Sequence, residues 1–151
     1  MKEYPPGEQP DFIPDFDNPS PSHFRVLVAD DNDVDRRLTI WHLSKAWPVQ
    51  QDMRVDCAAD GDEALEKIRN QPYALVVLDW NMPQRDGGEV LRTMRDDGSC
   101  VPVIVVSGQR REAIPSDLQA MAATFVNKNE LNPARFRQAI ATSLQFQERG
   151  C

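Results

Sequence analysis

An apolar run, a single carboxylate and a turn follow one another in Val76-Val77-Leu78-Asp79-Trp80-Asn81-Met82-Pro83-Gln84-Arg85-Asp86-Gly87. The run from residue 74 to residue 78 does not alternate between apolar and polar residues, which is typical of a strand buried on both faces of a parallel sheet. Met82-Pro83 and Asp86-Gly87 are turn formers, so the chain leaves the sheet after Leu78. Asp79 is therefore predicted at the carboxyl end of a central strand, where open α/β sheets bind ligands. Taken alone, Asp79 could equally cap the turn.

Predicted strands and helices alternate five times after residue 22. Apolar runs predict strands near residues 25–29, 54–58, 74–78, 101–106 and 124–126. Helices are predicted near residues 33–46, 60–70, 89–95, 111–121 and 132–147, and Pro115 interrupts the fourth. Right-handed crossovers then place helices on both faces of a parallel sheet. We predict an α/β fold, a flavodoxin-like doubly wound (βα)5 domain with five parallel strands in the order 2-1-3-4-5, because strands one, three and four are the most apolar.

Residues 1–22 differ from the rest of the chain. They hold six of the 12 prolines, and five acidic residues are opposed there only by Lys2. We predict a Pro-rich, acidic and disordered tail over residues 1–22, a folded domain over residues 23–147 and a C-terminal tail over residues 148–151. The apolar group Phe12, Ile13 and Phe16 either stays in solvent or docks on this domain or on a partner.

The length, charge and composition of the chain argue against several classes of function. The 151 residues suffice for one compact domain, and the formal net charge of −7 argues against nucleic acid or an anionic membrane surface as the main partner. No apolar stretch approaches a membrane span and no signal peptide is visible, so we predict a cytoplasmic protein. Cys57, Cys100 and Cys151 lack metal-ligand spacing and are predicted to be free thiols.

Carboxylates follow two strands that are neighbours in the predicted order. Asp30 and Asp31 follow the first strand, and Asp79 follows the third. Two unit charges about 4 Å apart repel by about 4 kcal/mol at an effective dielectric constant near 20. Such a cluster therefore requires a cation or a bound proton, and oxygen ligands suit Mg²⁺. The same carboxylates would repel a flavin phosphate, the main rival ligand of this fold.

Two further strand ends carry compatible groups. Ser107 ends the fourth strand and Lys128 follows the fifth. Together these residues predict a phosphoryl-transfer site in which Asp79 attacks phosphorus, Mg²⁺ and Lys128 neutralise the equatorial oxygens, and Ser107 hydrogen-bonds one of them. Taken singly, Ser107 is more often a strand-end cap and Lys128 a solvated surface residue.

The sequence resembles the receiver domain of bacterial two-component response regulators, in particular single-domain, chemotaxis-regulator-like members, over residues 24–146. The motifs that carry the resemblance are Val28-Ala29-Asp30-Asp31, Asp79-Trp80-Asn81-Met82-Pro83 with Asp86-Gly87, Val106-Ser107-Gly108 and Phe125-Val126-Asn127-Lys128. The resemblance implies that Asp79 accepts phosphate from a phosphohistidine, on a histidine kinase or a phosphotransfer protein. It implies Mg²⁺ ligation by Asp31, Asp79 and the Asn81 carbonyl, with Asp30 acting mostly through water. Ser107 and Phe125 match the family's switch pair.

We therefore predict a single-domain response regulator that catalyses only its own phosphorylation and dephosphorylation and acts by protein contact. One alternative is an unphosphorylated receiver-like adaptor or interaction module. Another is a small phosphatase with an aspartyl intermediate, which would normally carry Asp where this chain has Asn81. A homodimer or a partner complex is also predicted at the face formed by the fourth helix, fifth strand and fifth helix, which carry Leu118, Met121 and Phe136. The alternative is a monomer throughout.

Three polar residues bear on details of the site. Receivers usually have proline after the lysine, whereas this chain has Asn129. A cis bond before a residue other than proline costs about 2.5–4 kcal/mol, so a trans bond and a shifted loop are expected. Asn81 and Gln109 are predicted to flank the path of the water that hydrolyses the aspartyl phosphate, and to keep its lifetime short.

Overall fold

The computed structural model describes residues 23–46, 52–108, 113–121 and 123–148. The strands in these ranges are His23–Ala29 (β1), Asp52–Ala58 (β2), Leu75–Asp79 (β3), Val103–Ser107 (β4) and Ala123–Asn127 (β5). The α-helices are Asp33–Ala46 (α1), Gly61–Asn70 (α2), Gly87–Asp96 (α3), Ser116–Gln119 (α4) and Pro133–Glu148 (α5). All adjacent strands pair in parallel, in the order β2-β1-β3-β4-β5. The predicted flavodoxin-like (βα)5 fold is confirmed.

Side chains on the sheet alternate between two hydrophobic cores, as successive residues of a strand must. One core lies with α2, α3 and α4 and includes Leu27, Val76, Leu78, Val103, Val105, Leu65, Leu91, Met94 and Leu118. The other lies with α1 and α5 and includes Val26, Val28, Leu75, Val77, Ile104, Val106, Leu43, Phe136 and Ile140. Because β3 and β4 are buried on both faces, the first four residues of each strand form a continuous apolar run.

The strand register fixes the position of the acidic residues. Ala29 of β1 lies opposite Leu78 of β3, so the residues that follow each of them, Asp30 and Asp79, reach the same edge of the sheet. β3 ends at Asp79, one residue later than predicted, because Asp79 still pairs with Val106 of β4. The carboxyl edge of the sheet is therefore where the acidic side chains gather.

The fourth helix is shorter than its sequence pattern predicts. It covers only Ser116–Gln119, and Pro115 precedes it with an extended ψ of 139°. Pro115 cannot donate the hydrogen bond that would continue a helix through this position. Residues 111 and 112 of the predicted 111–121 helix lie outside the described residues.

α1 leaves much of its apolar surface uncovered. Val34, Leu38 and Trp41 are 71%, 49% and 51% exposed, whereas Thr39 and Leu43 are buried. Among the residues that the structure describes, these three are the large hydrophobic side chains that remain exposed. Only a narrow face of α1 is therefore buried.

The predicted tails cannot be compared with the structure. Residues 1–22, including Phe12, Ile13 and Phe16, and residues 149–151 lie outside the described ranges. Cys57 is a free thiol, as predicted. Cys100 is disulfide-bonded, so the prediction of a free thiol is wrong at this position. No helix in the described ranges has the length and apolar character needed to span a membrane.

Candidate functional site

Three carboxylates meet at the carboxyl edge of the sheet. Asp30 follows β1, Asp31 comes next in the chain, and Asp79 ends β3. One oxygen from each carboxylate lies within 4.8 Å of the other two. Asp30 and Asp79 are buried, with 3% and 4% exposure, while Asp31 is exposed. The cluster thus has a buried floor formed by two acids and a solvent-facing rim formed by the third.

Lys128 brings a positive charge to this cluster. It opens a 3-10 turn, Lys128–Glu130, directly after β5, and its Nζ lies 3.1 Å from Oδ1 of Asp79. The same Nζ lies 3.4 Å from Oδ2 of Asp35 in the first turn of α1. No peptide bond among the described residues is cis, so the Lys128–Asn129 bond is trans. Lys128 contacts the acidic cluster although the residue that follows it in the sequence is not proline.

The loop after β1 is held by hydrogen bonds from the start of α1. Oδ1 of Asp30 accepts a hydrogen bond from the N–H of Asn32 at 2.9 Å, and the Arg36 guanidinium donates to the main-chain oxygen of Asp30 at 2.8 Å. Arg36 also pairs with Asp33. Sequence reasoning missed Arg36. A basic residue six positions after Asp30, within a run of acids, is the signal that could have indicated it.

Burial raises the pKa of both inner carboxylates. The pKa of Asp30 rises to about 6 through burial and the nearby charge of Asp79, although the Asn32 N–H and Lys128 oppose the shift. Burial likewise raises the pKa of Asp79, with Lys128 opposing it. Burial alone would lower the pKa of Lys128, but Asp79, Asp30 and Asp35 raise it overall. Ionisation of both carboxylates is therefore unfavourable, and a cation near them would stabilise the ionised form.

The donor atoms of the cluster fit a magnesium ion. Oδ1 of Asp79 is buried and has no hydrogen-bond partner among the described residues, although the Lys128 ammonium lies 3.1 Å away. A buried acceptor without a partner is rare in folded proteins, and this oxygen is available to bind a cation. Carboxylate and carbonyl oxygens are the ligands that Mg²⁺ takes, usually with several waters. The residues present thus match the metal that the sequence predicts.

The two residues of the predicted switch lie on neighbouring strands. Ser107 ends β4 and is buried, and Phe125 of β5 pairs with Val105, two residues before Ser107. Because side chains alternate along a strand, Ser107 and Phe125 face the same side of the sheet. Phe125 is only partly buried and packs against the core that includes Leu118 of α4. The arrangement links the carboxyl edge of β4 to the side of the sheet that carries α4.

The two residues predicted to tune hydrolysis differ in what the structure says of them. Asn81 lies two residues after Asp79 and is exposed. Its backbone N–H donates a hydrogen bond to the Asp79 carboxylate. Asn81 therefore lies at the open side of the cluster. Gln109 lies outside the described residues, so its predicted position beside the site has no structural counterpart.

Gly87 allows α3 to start directly against the backbone of Asp79. Its N–H donates to the Trp80 oxygen at 2.9 Å, and the side chain of Asp86 caps the helix by accepting from the Glu89 N–H at 2.8 Å. A Cβ built on Gly87 would lie 2.5 Å from the main-chain oxygen of Asp79. The turn after β3 therefore has no room for a side chain at this position.

Replacing Gly87 with Ala should destabilise the protein by about 1–3 kcal/mol, because the backbone at Asp79 would have to shift. Urea unfolding measures the change. Gly108→Ala is the matched control, since a Cβ there would meet nothing within 4 Å. Equal unfolding midpoints for the two variants would contradict the close approach of α3 to Asp79.

Comparison with known proteins agrees with this geometry. The chain matches the family described as the response regulator receiver domain over residues 26–141. It is 42% identical over 85 residues to the transcriptional regulatory protein TctD of Salmonella typhimurium, an alignment that covers 56% of this chain and 36% of TctD. The chain thus spans about a third of the length of this curated relative.

The chain is also similar to solved structures of response regulators. The response regulator TrrA of Thermotoga maritima, in complex with Mg²⁺ and BeF, has a TM-score of 0.66 and 29% identity, with 80% of this chain and 98% of that chain covered. The CheX–CheY–BeF3–Mg²⁺ complex of Borrelia burgdorferi has a TM-score of 0.64 and 30% identity, with 80% and 89% covered. Fold, acidic cluster and family match agree, and the chain belongs to the response regulator receiver domain family.

Proposed function

We propose that the chain accepts a phosphoryl group on Asp79 from a phosphohistidine of a histidine kinase or a phosphotransfer protein. The observation that carries this proposal is the buried Asp79 carboxylate, whose Oδ1 has no hydrogen-bond partner among the described residues and lies 3.1 Å from the Lys128 ammonium. A buried nucleophile beside a fixed cation is the arrangement that phosphoryl transfer requires. The proposal includes a cytoplasmic location.

In this reaction a carboxylate oxygen of Asp79 attacks phosphorus as the bond from phosphorus to the donor imidazole nitrogen breaks, and the imidazole leaves as a base that takes up a proton. Lys128 would stay near the phosphoryl oxygens and balance their charge, and the Ser107 hydroxyl would donate a hydrogen bond to one of them. Bound Mg²⁺ would supply a dication at the same oxygens. Asp31, Asp79 and the Asn81 carbonyl would hold it, and Asp30 would act mostly through water.

The switch pair would carry the signal away from Asp79. Drawing the Ser107 hydroxyl toward a phosphoryl oxygen would leave space that Phe125 can enter, since both side chains face the same side of the sheet. The partly buried state of Phe125 supports this movement, because a fully packed ring could not move inward. The only catalysis in the proposal is the chain's own phosphorylation and dephosphorylation.

Incubation with acetyl phosphate and Mg²⁺ tests the proposal directly. We expect the intact mass to increase by one phosphoryl group, and we expect EDTA to prevent the increase. Acetyl phosphate serves as the donor so that the result does not depend on knowing the cognate kinase. Failure to incorporate phosphate at any Mg²⁺ concentration would contradict the proposal and leave the unphosphorylated adaptor as the better interpretation.

Output by contact is proposed to use the face formed by α4, β5 and α5, through a partner or a homodimer. The CheX–CheY complex is a case in which a similar chain forms a complex with another protein. Leu118 and Phe136 are buried in the cores and Met121 is partly buried, so most of the contact area would come from other side chains. Light scattering with and without phosphorylation, under reducing conditions, distinguishes a dimer from the monomer alternative.

The phosphoryl group should be short-lived, because Asn81 is polar and lies at the open side of the site. An apolar side chain there would no longer orient the attacking water, so Asn81→Leu should slow hydrolysis by about ten-fold. Gln109→Leu should act in the same direction. Decay of the phosphorylated protein measures both. Asn70→Leu, the same change at the exposed end of α2, serves as the control, and identical decay in all four proteins would refute the role of Asn81.

A further inference from the structure

The two carboxylates that contact Lys128 do so in different ways. Nζ lies 3.1 Å from Asp79 Oδ1 and 3.4 Å from Asp35 Oδ2. The contact with Asp35 is a hydrogen bond, and the shorter contact with Asp79 is an ion pair. Lys128 therefore bridges the carboxylate on α1 and the carboxylate at the end of β3 and is shared between them.

The position of Asp35 follows from the way α1 begins. Oδ1 of Asn32 accepts a hydrogen bond from the Asp35 N–H at 2.9 Å, which fixes Asp35 in the first turn of the helix. The guanidinium of Arg36, the next residue, donates a hydrogen bond to the main-chain oxygen of Asp30. An acidic side chain is also favoured at the positive end of a helix. The backbone that carries the Asp35 carboxylate is thus tied to the loop that carries the acidic cluster.

The charges show why a second carboxylate beside Lys128 matters. Asp79 is 4% exposed and Asp35 is 46% exposed, so in the absence of Asp35 the ammonium would be drawn toward the buried carboxylate. A full hydrogen bond from Lys128 would occupy a lone pair of Oδ1. That lone pair would then be less available to a metal ion or to phosphorus.

We propose that Asp35 is a positioning residue, which holds the Lys128 ammonium between two carboxylates so that the Asp79 carboxylate stays available to bind metal and to act as nucleophile. This inference rests on the proposed phosphoryl transfer and adds a residue outside the motifs that define the site. Asp35 itself touches neither the metal nor the phosphoryl group. It acts through Lys128.

Direct attraction of Mg²⁺ by the negative charge of Asp35 would also make Mg²⁺ binding weaker when Asp35 is replaced. The two explanations differ in their dependence on Lys128. Attraction through space persists when Lys128 is removed, whereas positioning vanishes. A double-mutant cycle separates the direct effect from the effect through a partner.

The test compares wild type, Asp35→Asn, Asp35→Glu, Lys128→Met and the Asp35→Asn/Lys128→Met double variant. Mg²⁺ affinity is followed by the fluorescence of Trp80, next to Asp79, and the phosphorylation rate by mass after acetyl phosphate. Asp35→Asn should weaken Mg²⁺ binding and slow phosphorylation by about five-fold in the presence of Lys128, and by less than about two-fold in the Lys128→Met background. Asp35→Glu should recover most of the loss.

An equal loss in both backgrounds would overturn the inference, because it would leave only attraction through space. No loss in the presence of Lys128 would overturn it as well. Urea unfolding of each variant checks that the helix start, which rests on the Asn32 cap, remains intact. The Mg²⁺ titration does not require phosphoryl transfer. A wild type that binds Mg²⁺ but takes up no phosphate would therefore refute the proposed function while still testing Asp35.

Discussion

Replacing Asp79 with Asn should reduce phosphorylation by acetyl phosphate from near-stoichiometric incorporation to background. The amide has nearly the same shape as the carboxylate, but it lacks the negative charge and the nucleophilic oxygen. Neither Asp30 nor Asp31 should substitute for it. Asp30 is held by the Asn32 N–H, and Asp31 lies at the exposed rim, whereas Asp79 is buried and forms an ion pair with Lys128. Intact mass and a phosphate-sensitive gel both measure the loss.

The matched control is Asp96→Asn, the same chemical change at an exposed position of α3. We expect it to be phosphorylated like the wild type. The Asp79→Asn protein should fold, because it removes a buried charge whose pKa is raised by burial, and an amide avoids that unfavourable charge. Equal labelling of the two variants would remove Asp79 as the acceptor.

Replacing Asp31 with Ala should weaken Mg²⁺ binding by more than about 100-fold, and replacing Asp30 with Ala should weaken it by about ten-fold. The difference follows from the proposed roles, with Asp31 as a direct ligand and Asp30 as a residue that acts through water. It is consistent with the hydrogen bond that already engages one oxygen of Asp30. Titration with Mg²⁺, followed by tryptophan fluorescence, measures both affinities.

Asp33→Ala controls for the general loss of an acidic side chain near the site, because Asp33 is exposed and pairs with Arg36 rather than lining the cluster. It should shift the Mg²⁺ affinity far less than Asp31→Ala does. A titration in which Asp31→Ala matches the wild type would rule out Asp31 as a ligand. A larger loss for Asp30→Ala than for Asp31→Ala would reverse the two roles.

The fold could be predicted because its buried strands leave a direct mark on the sequence. Val76–Leu78 and residues 103–106 are apolar without interruption, since helices cover both faces of the sheet at these strands. The strand ends could be predicted for the same reason, because Asp79 and Ser107 break these runs abruptly. Strand order then brought Asp30, Asp31 and Asp79 together, a convergence that the structure contains.

The bounds of α1 were predicted, but the side-chain contacts at its start could not be. The contact between Asp35 and Lys128 joins residues 93 positions apart, and its existence depends on side-chain conformations and on the tilt of the helix. The exposure of Val34 and Trp41 has a related cause. Apolar residues occur around several sides of α1, so their spacing does not define one inward face. The length of α4 likewise depended on how the chain passes Pro115.

The central claim is that Asp79 carries the phosphoryl group, and locating that group chemically tests it most directly. Borohydride reduces an aspartyl phosphate to homoserine, which marks the modified residue permanently. After treatment of the wild type with acetyl phosphate, Mg²⁺ and then borohydride, peptide sequencing by mass spectrometry should find homoserine at position 79 and at no other aspartate. Homoserine at position 30 or 31, or phosphate uptake that leaves position 79 unmodified, would contradict the account.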